Sequence, residues 1–316
     1  MKNKSLRFAL VLAALGGAVF AAPAPKDITI TVVYHDTGIE FGQVIKAGAL
    51  AAGKELGIKV EFVGPIGIKV DEEVAFVENA ITKQVSGLAV SNVNGEALNP
   101  VIDKAMAAGI PVVTFNSEAA GSQRLGFFGQ DLVQSGKVAG DILKEYMGAK
   151  GKILIITGEA AASWSQDREN GARASIAKYP GIKIVNTIST GWEEQAQYAA
   201  IENAIRANPD LTGIVSLDAA TTPATGRALV RLGKIGKIKH VGFDLIPETL
   251  DNIKAGATNA SLSQNPYMQG YLPVKALYDL IMTKKPIKGV DTGILRVDQK
   301  NIDEYLQKLK NHEPIG

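Results

Sequence analysis

The stretch ITITVVYHDTGIEFGQVIKAGALAAGKELGIKVEFVG, residues 28–64, combines two strand-like runs with one helix-length segment. Its first and last runs, 28–34 and 58–64, are rich in Val and Ile, which is typical of β-strands. Between them, residues 40–56 have the spacing of an amphipathic helix, and Gly57 is a stop signal. A strand, a helix and a second strand of these lengths predict a β-α-β unit with parallel strands.

The same alternation continues along the chain in two successive series. Further strands are expected at 87–93, 110–116, 152–158, 182–188, 211–217 and 238–244, and helices at 71–84, 99–109, 166–179, 193–207 and 222–233. Continuous runs of Val, Ile and Leu are typical of strands in parallel sheets that helices cover on both faces. Two series predict an α/β protein of two doubly wound lobes, joined by a hinge near Gly129–Asp131.

The first residues have the composition of an export signal. Three basic residues precede the apolar run FALVLAALGGAVFA, which small residues and a proline follow. This run is shorter than the roughly 20 residues of a membrane-spanning helix. We therefore expect residues 1–24 to be a signal peptide, cleaved after Ala21 or Ala24, and the mature protein to be soluble.

Composition restricts the compartment and the partners. The chain has no cysteine, which excludes disulfides, thiolate metal sites and a lipid-modified cysteine anchor. Its formal net charge of +2 gives no reason to expect binding to nucleic acid or to an anionic membrane. An exported protein without an anchor is expected to diffuse freely in the periplasm.

Motifs of several enzyme classes are missing from the sequence. No P-loop, no Gly-x-Gly-x-x-Gly fingerprint and no Gly-x-Ser-x-Gly elbow occurs. The three histidines, His35, His240 and His312, have no metal-ligand spacing, and His240 lies in an apolar strand as a structural residue would. We therefore predict no catalytic residue, no metal and no cofactor.

Ligands of open α/β sheets bind beyond the carboxyl ends of the strands. The loops that this rule selects are rich in Asp, Asn, Gln, Arg and aromatic residues: 35–41, 91–94, 116–118, 164–168, 191–192, 218–220, 244 and 264–265. Carboxylates accept hydrogen bonds and a guanidinium donates them, so together they suit the hydroxyls of a sugar or polyol. Aromatic rings would cover the C–H surface of such a ligand.

Six segments carry a resemblance to a known family: IPVVTFNSEA, GFFGQDLVQSGKVAGDIL, GEAAASWSQDRENGA, NPDLTGIVSLDAA, KHVGFDLIPETLDNIKAG and ASLSQNPYMQGY. In their order and spacing they resemble the ribose-type periplasmic sugar-binding proteins of ABC importers, of the type I periplasmic binding protein family. The resemblance covers essentially the whole mature chain. It implies two Rossmann-like lobes that close on a ligand by hinge bending, without chemical turnover.

The resemblance also implies domain boundaries and partners. Residues 27–130 and 265–292 would form the N-terminal lobe, and residues 131–264 and 293–316 the C-terminal lobe. The ligand would be a monosaccharide or a related polyol. A membrane permease of an ABC importer would receive it, a chemoreceptor is a possible second partner, and we expect a monomer.

Ligand roles follow from positions that match ligand-binding residues of the family: Phe41, Arg168, Trp192, Asp218, Asp244 and Gln264. Phe41 and Trp192 would contact the sugar ring, and Arg168 would donate to it. Helix capping is the structural alternative for Asp244, and anchoring of a helix is the alternative for Trp192. Trp164 would either line the pocket or pack under its loop.

Two segments depart from the family pattern. Ribose binders carry Asp-Arg where this chain has Asn116-Ser117, so Asn116 would contact the ligand as a neutral group and ribose itself is disfavoured. The first loop, YHDTGIEF, places His35 and Asp36 near the cleft, as ligand contacts or as parts of a turn.

The sequence leaves two alternatives open. The segment DAATTPATG resembles the branch that binds rhamnose or autoinducer-2. A secreted enzyme acting on sugars could use Asp218 and Asp244 as its acids. A sugar-responsive transcription regulator would need a DNA-binding headpiece, where this chain has an export signal.

Overall fold

The structure is a computed structural model that describes residues 23–118 and 120–311. The predicted signal peptide, except for Pro23 and Ala24, and the C-terminal residues from His312 onward lie outside this range. Within the described residues, none of the helices has the length and apolar character needed to cross a membrane.

Every predicted strand and helix is present, and the described residues contain four further strands and four further helices. In chain order the elements are β1 (Thr29–Val33), α1 (Glu40–Leu56), β2 (Lys59–Val63), α2 (Val70–Thr82), β3 (Gly87–Val90), α3 (Gly95–Ala107), β4 (Val112–Phe115), β5 (Phe127–Gly129), α4 (Leu132–Met147), β6 (Gly151–Thr157), α5 (Ser163–Ile176), β7 (Ile182–Ser189), α6 (Glu194–Ala207), β8 (Leu211–Ser216), α7 (Thr221–Arg231), β9 (Lys239–Phe243), α8 (Pro247–Lys254), β10 (Ala260–Ser263), α9 (Pro266–Thr283), β11 (Val290–Asp291), β12 (Leu295–Asp298) and α10 (Ile302–Lys310).

The strands form two sheets of six, which we call the sheets of the first and second lobe. The first has the order β11-β5-β4-β3-β1-β2 and the second β12-β10-β9-β8-β6-β7. All neighbours are parallel except β10 and β12, which are antiparallel. Both sheets therefore repeat one doubly wound strand order, and the predicted fold class is confirmed.

Helices cover both faces of the first sheet, which explains why its central strands β3 and β4 are almost entirely apolar. On one face, Ile45 of α1 and Val274 of α9 pack in one buried cluster with Ile30 of β1. On the other face, Val77 of α2 and Ile102 of α3 share a second cluster with residues of β1 and β3. All four residues of β3 and of β4 are buried, as expected for strands between two helical layers.

The chain crosses between the two sheets at three places within the described residues: between β5 and α4, between β10 and α9, and between β11 and β12. Gln130 lies in the first crossing and is fully buried. Its Nε2 donates to the carbonyl of Ser263, at 3.3 Å, and to that of Gly293, at 3.1 Å. One amide therefore joins all three crossings.

Two helices begin earlier than the sequence predicts. Helix α3 begins at Gly95 rather than at residue 99, because the side chain of Asn94 caps it by accepting from the amide of Ala97. Helix α5 begins at Ser163 rather than at residue 166. Trp164 and Arg168 therefore lie in the first two turns of α5 and not in a loop.

Candidate ligand-binding site

A cavity of about 240 Å³ lies at the carboxyl ends of the strands, between the two sheets. Nine of the ten residues that we predicted as ligand contacts line it: His35, Phe41, Asn116, Trp164, Arg168, Trp192, Asp218, Asp244 and Gln264. Residues of both lobes contribute. As the strand-end rule predicts, the fold brings together side chains that are up to 229 positions apart in the chain.

Asp36 is the predicted residue that does not line the cavity. Its Oδ1 accepts hydrogen bonds from the backbone amides of Gly38 and Gly67, both at 2.9 Å. These bonds join the loop after β1 to the loop after β2. The structure therefore supports the turn-forming alternative for Asp36 rather than ligand contact.

Arg168 projects from α5 into the centre of the site and is only 3% exposed. Its Nη1 donates to the carbonyl of Leu217 at 2.7 Å, and its Nη2 to Oε1 of Gln130 at 3.4 Å. The guanidinium carbon lies 4.1 Å from the ring centroid of Phe243. Burial lowers the pKa of Arg168, and the charges of Asp244 and Asp218 oppose that shift. A fixed buried cation therefore faces two carboxylates.

Asp244 follows β9 and is 4% exposed. Burial raises its pKa from 3.8 to about 6, although Arg168 and the side-chain amide of Gln264 both favour the ionised form. Gln264 Nε2 donates to Asp244 Oδ1 at 2.8 Å. Among the described residues Asp244 forms no ion pair with Arg168, so both charged groups retain capacity to bind a ligand.

Asp218 follows β8, and its carboxylate accepts more hydrogen bonds from the protein than the carboxylate of Asp244 does. Its Oδ2 accepts from the amide of Gly158 at 2.8 Å, and its Oδ1 accepts from the amides of Ala220 and Thr221 at 3.0 and 2.8 Å. Burial raises its pKa, and these backbone bonds counteract the shift. Asp218 therefore fixes the loops at the end of β6 and β8 and has less capacity for a ligand than Asp244.

Amide side chains connect the two lobes beneath the cavity. Asn116, after β4, donates from Nδ2 to Oε1 of Gln269 at 2.8 Å, and Gln269 lies on α9 and is fully buried. Gln269 Nε2 donates to the carbonyl of Gln264 at 2.8 Å and to Oγ1 of Thr292 at 3.1 Å. The side chains at the ends of β4 and β10 are therefore held against the crossings between the lobes.

Three of the polar residues at these strand ends have a left-handed backbone. The φ angles are 60° at Asn116, 68° at Asp244 and 56° at Asn265. Residues other than glycine adopt this region infrequently, Asn and Asp more readily than most, and such conformations cluster at functional sites. The turn directs the side chains of Asn116 and Asp244 to the cavity that both line.

Aromatic side chains provide the apolar surface of the site. Phe41 is 5% exposed and Trp164 is 7% exposed. The rings of Trp164 and Trp192 contact each other with centroids 6.3 Å apart. Trp192 also lies against Gly158, where an added Cβ would be 2.7 Å from its Cη2 atom. Trp164 therefore lines the cavity and packs against Trp192.

His35 lies beside Asn116 on the first lobe and is 6% exposed. Its Nδ1 is 2.7 Å from the hydroxyl of Ser91, whose Oγ is 3.4 Å from Oδ1 of Asn116. Its ring also packs on Tyr34, with centroids 4.3 Å apart. Burial lowers the pKa of His35 to about 3, so the imidazole is neutral near pH 7.

Seven further residues line the cavity, of which the first four lie in loops that the strand-end rule selects: Ile39, Glu40, Ala219, Ala220, Tyr34, Leu132 and Ile246. Tyr34 directly follows β1 and Ile246 follows Asp244, so the strand-end rule could have included both. Leu132 begins α4, beyond a crossing between the lobes, and no local signal marks it. Ser91 and Asn94 lie in a loop that the strand-end rule selects but do not line the cavity. The hydroxyl of Ser91 donates to Asn116, and the side chain of Asn94 caps α3.

The two lobes also contact each other directly at the N-terminus of α5. The amide of Ser163 donates to the carbonyl of Val93 at 3.2 Å, and its hydroxyl donates to the carbonyl of Asn92 at 3.1 Å. The hydroxyls of Ser163 and Ser117 are 2.9 Å apart. Ser117, at the position of the arginine of ribose binders, therefore contacts the opposite lobe and does not line the cavity.

In the part of the chain that the structure describes, no group of three or more His, Cys, Asp or Glu side chains could hold a metal ion. The site instead combines one cation, three carboxylates, amides, a neutral imidazole and aromatic rings. Two of the carboxylates, those of Asp218 and Asp244, are buried. Such a set can bind a neutral, polyhydroxylated molecule through donors and acceptors in alternation.

Comparisons with known proteins show the family to which this chain belongs. The family profile of the periplasmic binding protein domain matches residues 30–285. The xylose/arabinose-binding protein XylF of Sulfolobus acidocaldarius is 29% identical over 73% of this chain, which spans 61% of that relative's length. The D-allose-binding periplasmic protein of Escherichia coli is 26% identical over 90% of this chain and 94% of its own.

A solved structure has the same architecture. It is an ABC transporter solute-binding protein from Burkholderia graminis in complex with D-arabinose, with a TM-score of 0.86 and 28% identity over 90% of this chain and 99% of its own. The family profile matches well over half of the chain, and the fold matches over 90% of it. The chain therefore belongs to the type I periplasmic binding protein family, among its ribose-type members, and is a solute-binding receptor rather than an enzyme.

Proposed function

We propose that this protein is the periplasmic receptor of an ABC importer and binds one monosaccharide, or a related polyol, in the cavity between its lobes. The single observation that carries the proposal is the arrangement of Arg168 and Asp244. Both are buried and charged, and they face each other without an ion pair among the described residues. Buried charges are costly unless they are bound, and the hydroxyls of a sugar can donate to one and accept from the other.

The size and the lining of the cavity support a small ring. Its volume of about 240 Å³ lies below the range of about 300–1,000 Å³ that is usual for pockets of drug-sized ligands. This favours a single monosaccharide over an oligosaccharide. Phe41, Trp164 and Trp192 offer aromatic surface for its C–H groups.

The predicted hinge supplies the mechanism. A ligand that contacts Asn116 on the first lobe and Asp244 on the second stabilises the arrangement in which the lobes are close, and shifts an open–closed equilibrium toward it. The ligand leaves unaltered. A membrane permease would recognise the closed form, after export of the chain to the periplasm.

Relatives suggest which sugars to test first. A similar protein was crystallised with D-arabinose, and others are named for xylose, arabinose or allose. We would titrate the pure protein by calorimetry with D-arabinose, D-ribose, D-xylose, D-allose, L-rhamnose, myo-inositol and autoinducer-2. Saturable binding with a stoichiometry near one supports the proposal, and flat traces with every compound contradict it.

A substitution tests where the ligand binds. We expect Asp244→Ala to weaken binding of the best ligand by more than about tenfold, because the ligand loses a buried, charged acceptor. The melting temperature without ligand should stay within a few degrees. Asn252→Ala is the matched control, because its buried amide donates to the carbonyl of Pro223, away from the cavity. Unchanged affinity in Asp244→Ala would refute the placement of the site.

A further inference from the structure

A chain of hydrogen bonds runs from the crossings between the lobes to His35. It begins at Gln269, whose Nε2 lies 2.8 Å from the backbone carbonyl of Gln264. A carbonyl oxygen accepts only, so this end of the amide is the NH₂ group. The other end, Oε1, therefore faces Asn116 at 2.8 Å. The orientation of Gln269 is thus determined by a backbone atom.

The orientation of Asn116 follows in the same way. Because Gln269 presents an acceptor, the Asn116 atom that faces it is Nδ2, the donor. Asn116 Oδ1 then points toward Ser91, whose hydroxyl is 3.4 Å away and donates to it. A serine hydroxyl has one hydrogen. The oxygen of Ser91 therefore serves His35 as an acceptor, across the 2.7 Å that separates it from Nδ1.

We propose that Gln269, Asn116 and Ser91 position His35 as the Nδ1–H tautomer, so that Nε2 enters the cavity as an acceptor and requires a ligand hydroxyl that donates to it. Among the described residues no side chain or backbone group bonds to Nε2 of His35. A neutral imidazole with one bonded nitrogen presents the opposite character at the other nitrogen. His35 is therefore a specificity-determining residue, and Gln269 and Ser91 are positioning residues.

This inference rests on the proposed function for the nature of the ligand, but the tautomer does not depend on it. His35 has a buried counterpart in the second lobe, which provides an internal comparison. His240 is fully buried, with Nε2 3.0 Å from the hydroxyl of Ser216 and Nδ1 3.0 Å from that of Thr258. Both histidines are neutral near pH 7 because burial lowers the pKa of each to about 3.

The first experiment measures the tautomer in the ligand-free, full-length mature protein. Long-range ¹H–¹⁵N spectra of protein labelled with ¹⁵N-histidine are recorded at pH 7, and His35→Phe assigns the resonances of His35. We expect a protonated-type shift at Nδ1 and an unprotonated-type shift at Nε2. The reverse pattern, or an equal mixture of the two, would overturn the proposal.

Two serine variants test the chain of bonds. Ser91→Ala should shift the tautomer equilibrium of His35 and leave the resonances of His240 in place. Ser216→Ala makes the same change beside a buried histidine outside the cavity, and should affect His240 alone. A pure Nδ1–H signal from His35 in Ser91→Ala would show that the chain does not fix the tautomer. If Ser91→Ala does not fold, Asn116→Ala removes the acceptor of the Ser91 hydroxyl and should shift the same tautomer equilibrium of His35.

The second experiment uses D-arabinose and its monodeoxy and monodeoxyfluoro analogues, because fluorine cannot donate. At the hydroxyl position that donates to His35, replacement by hydrogen or by fluorine should weaken binding to the wild type by about tenfold. The same replacements should weaken binding to the His35→Phe variant by less than about twofold. If every fluoro analogue binds like the parent, the acceptor role is refuted. Flat calorimetric traces with all sugars would instead refute the proposed function and leave the spectroscopic result intact.

Discussion

Ligand binding should weaken as the pH falls through the pKa of Asp244. In the free protein burial raises this pKa to about 6. Bound hydroxyls donate to the ionised form and so lower the pKa in the complex. The affinity is therefore highest well above pH 6 and falls as the pH drops below 6, because binding must then first remove a proton from Asp244.

The magnitude follows from the ionised fraction. At pH 5, one unit below the pKa, about one molecule in eleven carries the ionised form, so Kd should rise about tenfold relative to pH 7.5. The groups around Asp244 are Arg168, Asp218 and Tyr34, with a bond from Gln264. Arg168 stays charged and Tyr34 stays neutral over this range, because burial raises the pKa of Tyr34 well above its ordinary value.

Calorimetry with the best sugar at pH 5.0, 6.0 and 7.5 measures this effect, with Asp244→Asn as the control. The variant should bind more weakly at pH 7.5 and show no change between pH 5 and 7.5. A wild type with the same Kd at all three values, or a variant that keeps the dependence, would refute the role of Asp244.

Stability of the free protein provides a check with the opposite sign. The pKa of Asp244 is raised on folding, so its stabilising contribution is present below 3.8 and is lost as the pH rises through about 6. This rise corresponds to about 3 kcal/mol. Lost affinity at pH 5 therefore cannot be explained by unfolding that starts at Asp244.

Three further substitutions test other parts of the structure. Asp36→Ala should lower the free energy of unfolding in urea by about 1–2 kcal/mol and change sugar affinity by less than about twofold, because among the described residues its carboxylate accepts from backbone amides alone; a large loss of affinity would restore it as a ligand contact. Gly158→Ala should weaken sugar binding about tenfold in calorimetry, since its methyl group would displace Trp192; unchanged binding would show that the ring adapts. Glu73→Gln should raise the free energy of unfolding at pH 8 but not at pH 4, because Glu73 is buried with a raised pKa; an equal gain at both pH values would contradict this.

Much of the site could be predicted because it follows strand ends, and strands of a buried parallel sheet are easy to recognise from their apolar runs. Helix α5 was harder. Its buried face includes Ser165 and Arg168, which face Thr157 and the cavity rather than an apolar core. A helix that buries polar groups lacks the apolar periodicity on which recognition from sequence depends. The sequence therefore predicts a loop where the structure has the first turn of α5.

Asp36 shows a second limit. A carboxylate after a strand suits a ligand or a turn equally well, and the residue that decides between them is 31 positions away. Gly67 supplies its amide from the loop after β2, and only the folded chain brings that amide within 2.9 Å. The same holds for Gln269, which lies on a helix 153 positions beyond the Asn116 that it orients.

The contact of Ser163 with the opposite lobe separates two properties of a receptor. Ser163 joins the lobes without lining the cavity, so its contact does not depend on which ligand is bound. We therefore expect substitutions at Ser163 to change the residence times of all ligands by the same factor. Substitutions at His35 or Asn116 should instead reorder the preferred cargoes. A biosensor built on this scaffold could therefore have its working range adjusted at Ser163 while it continues to report the same compound.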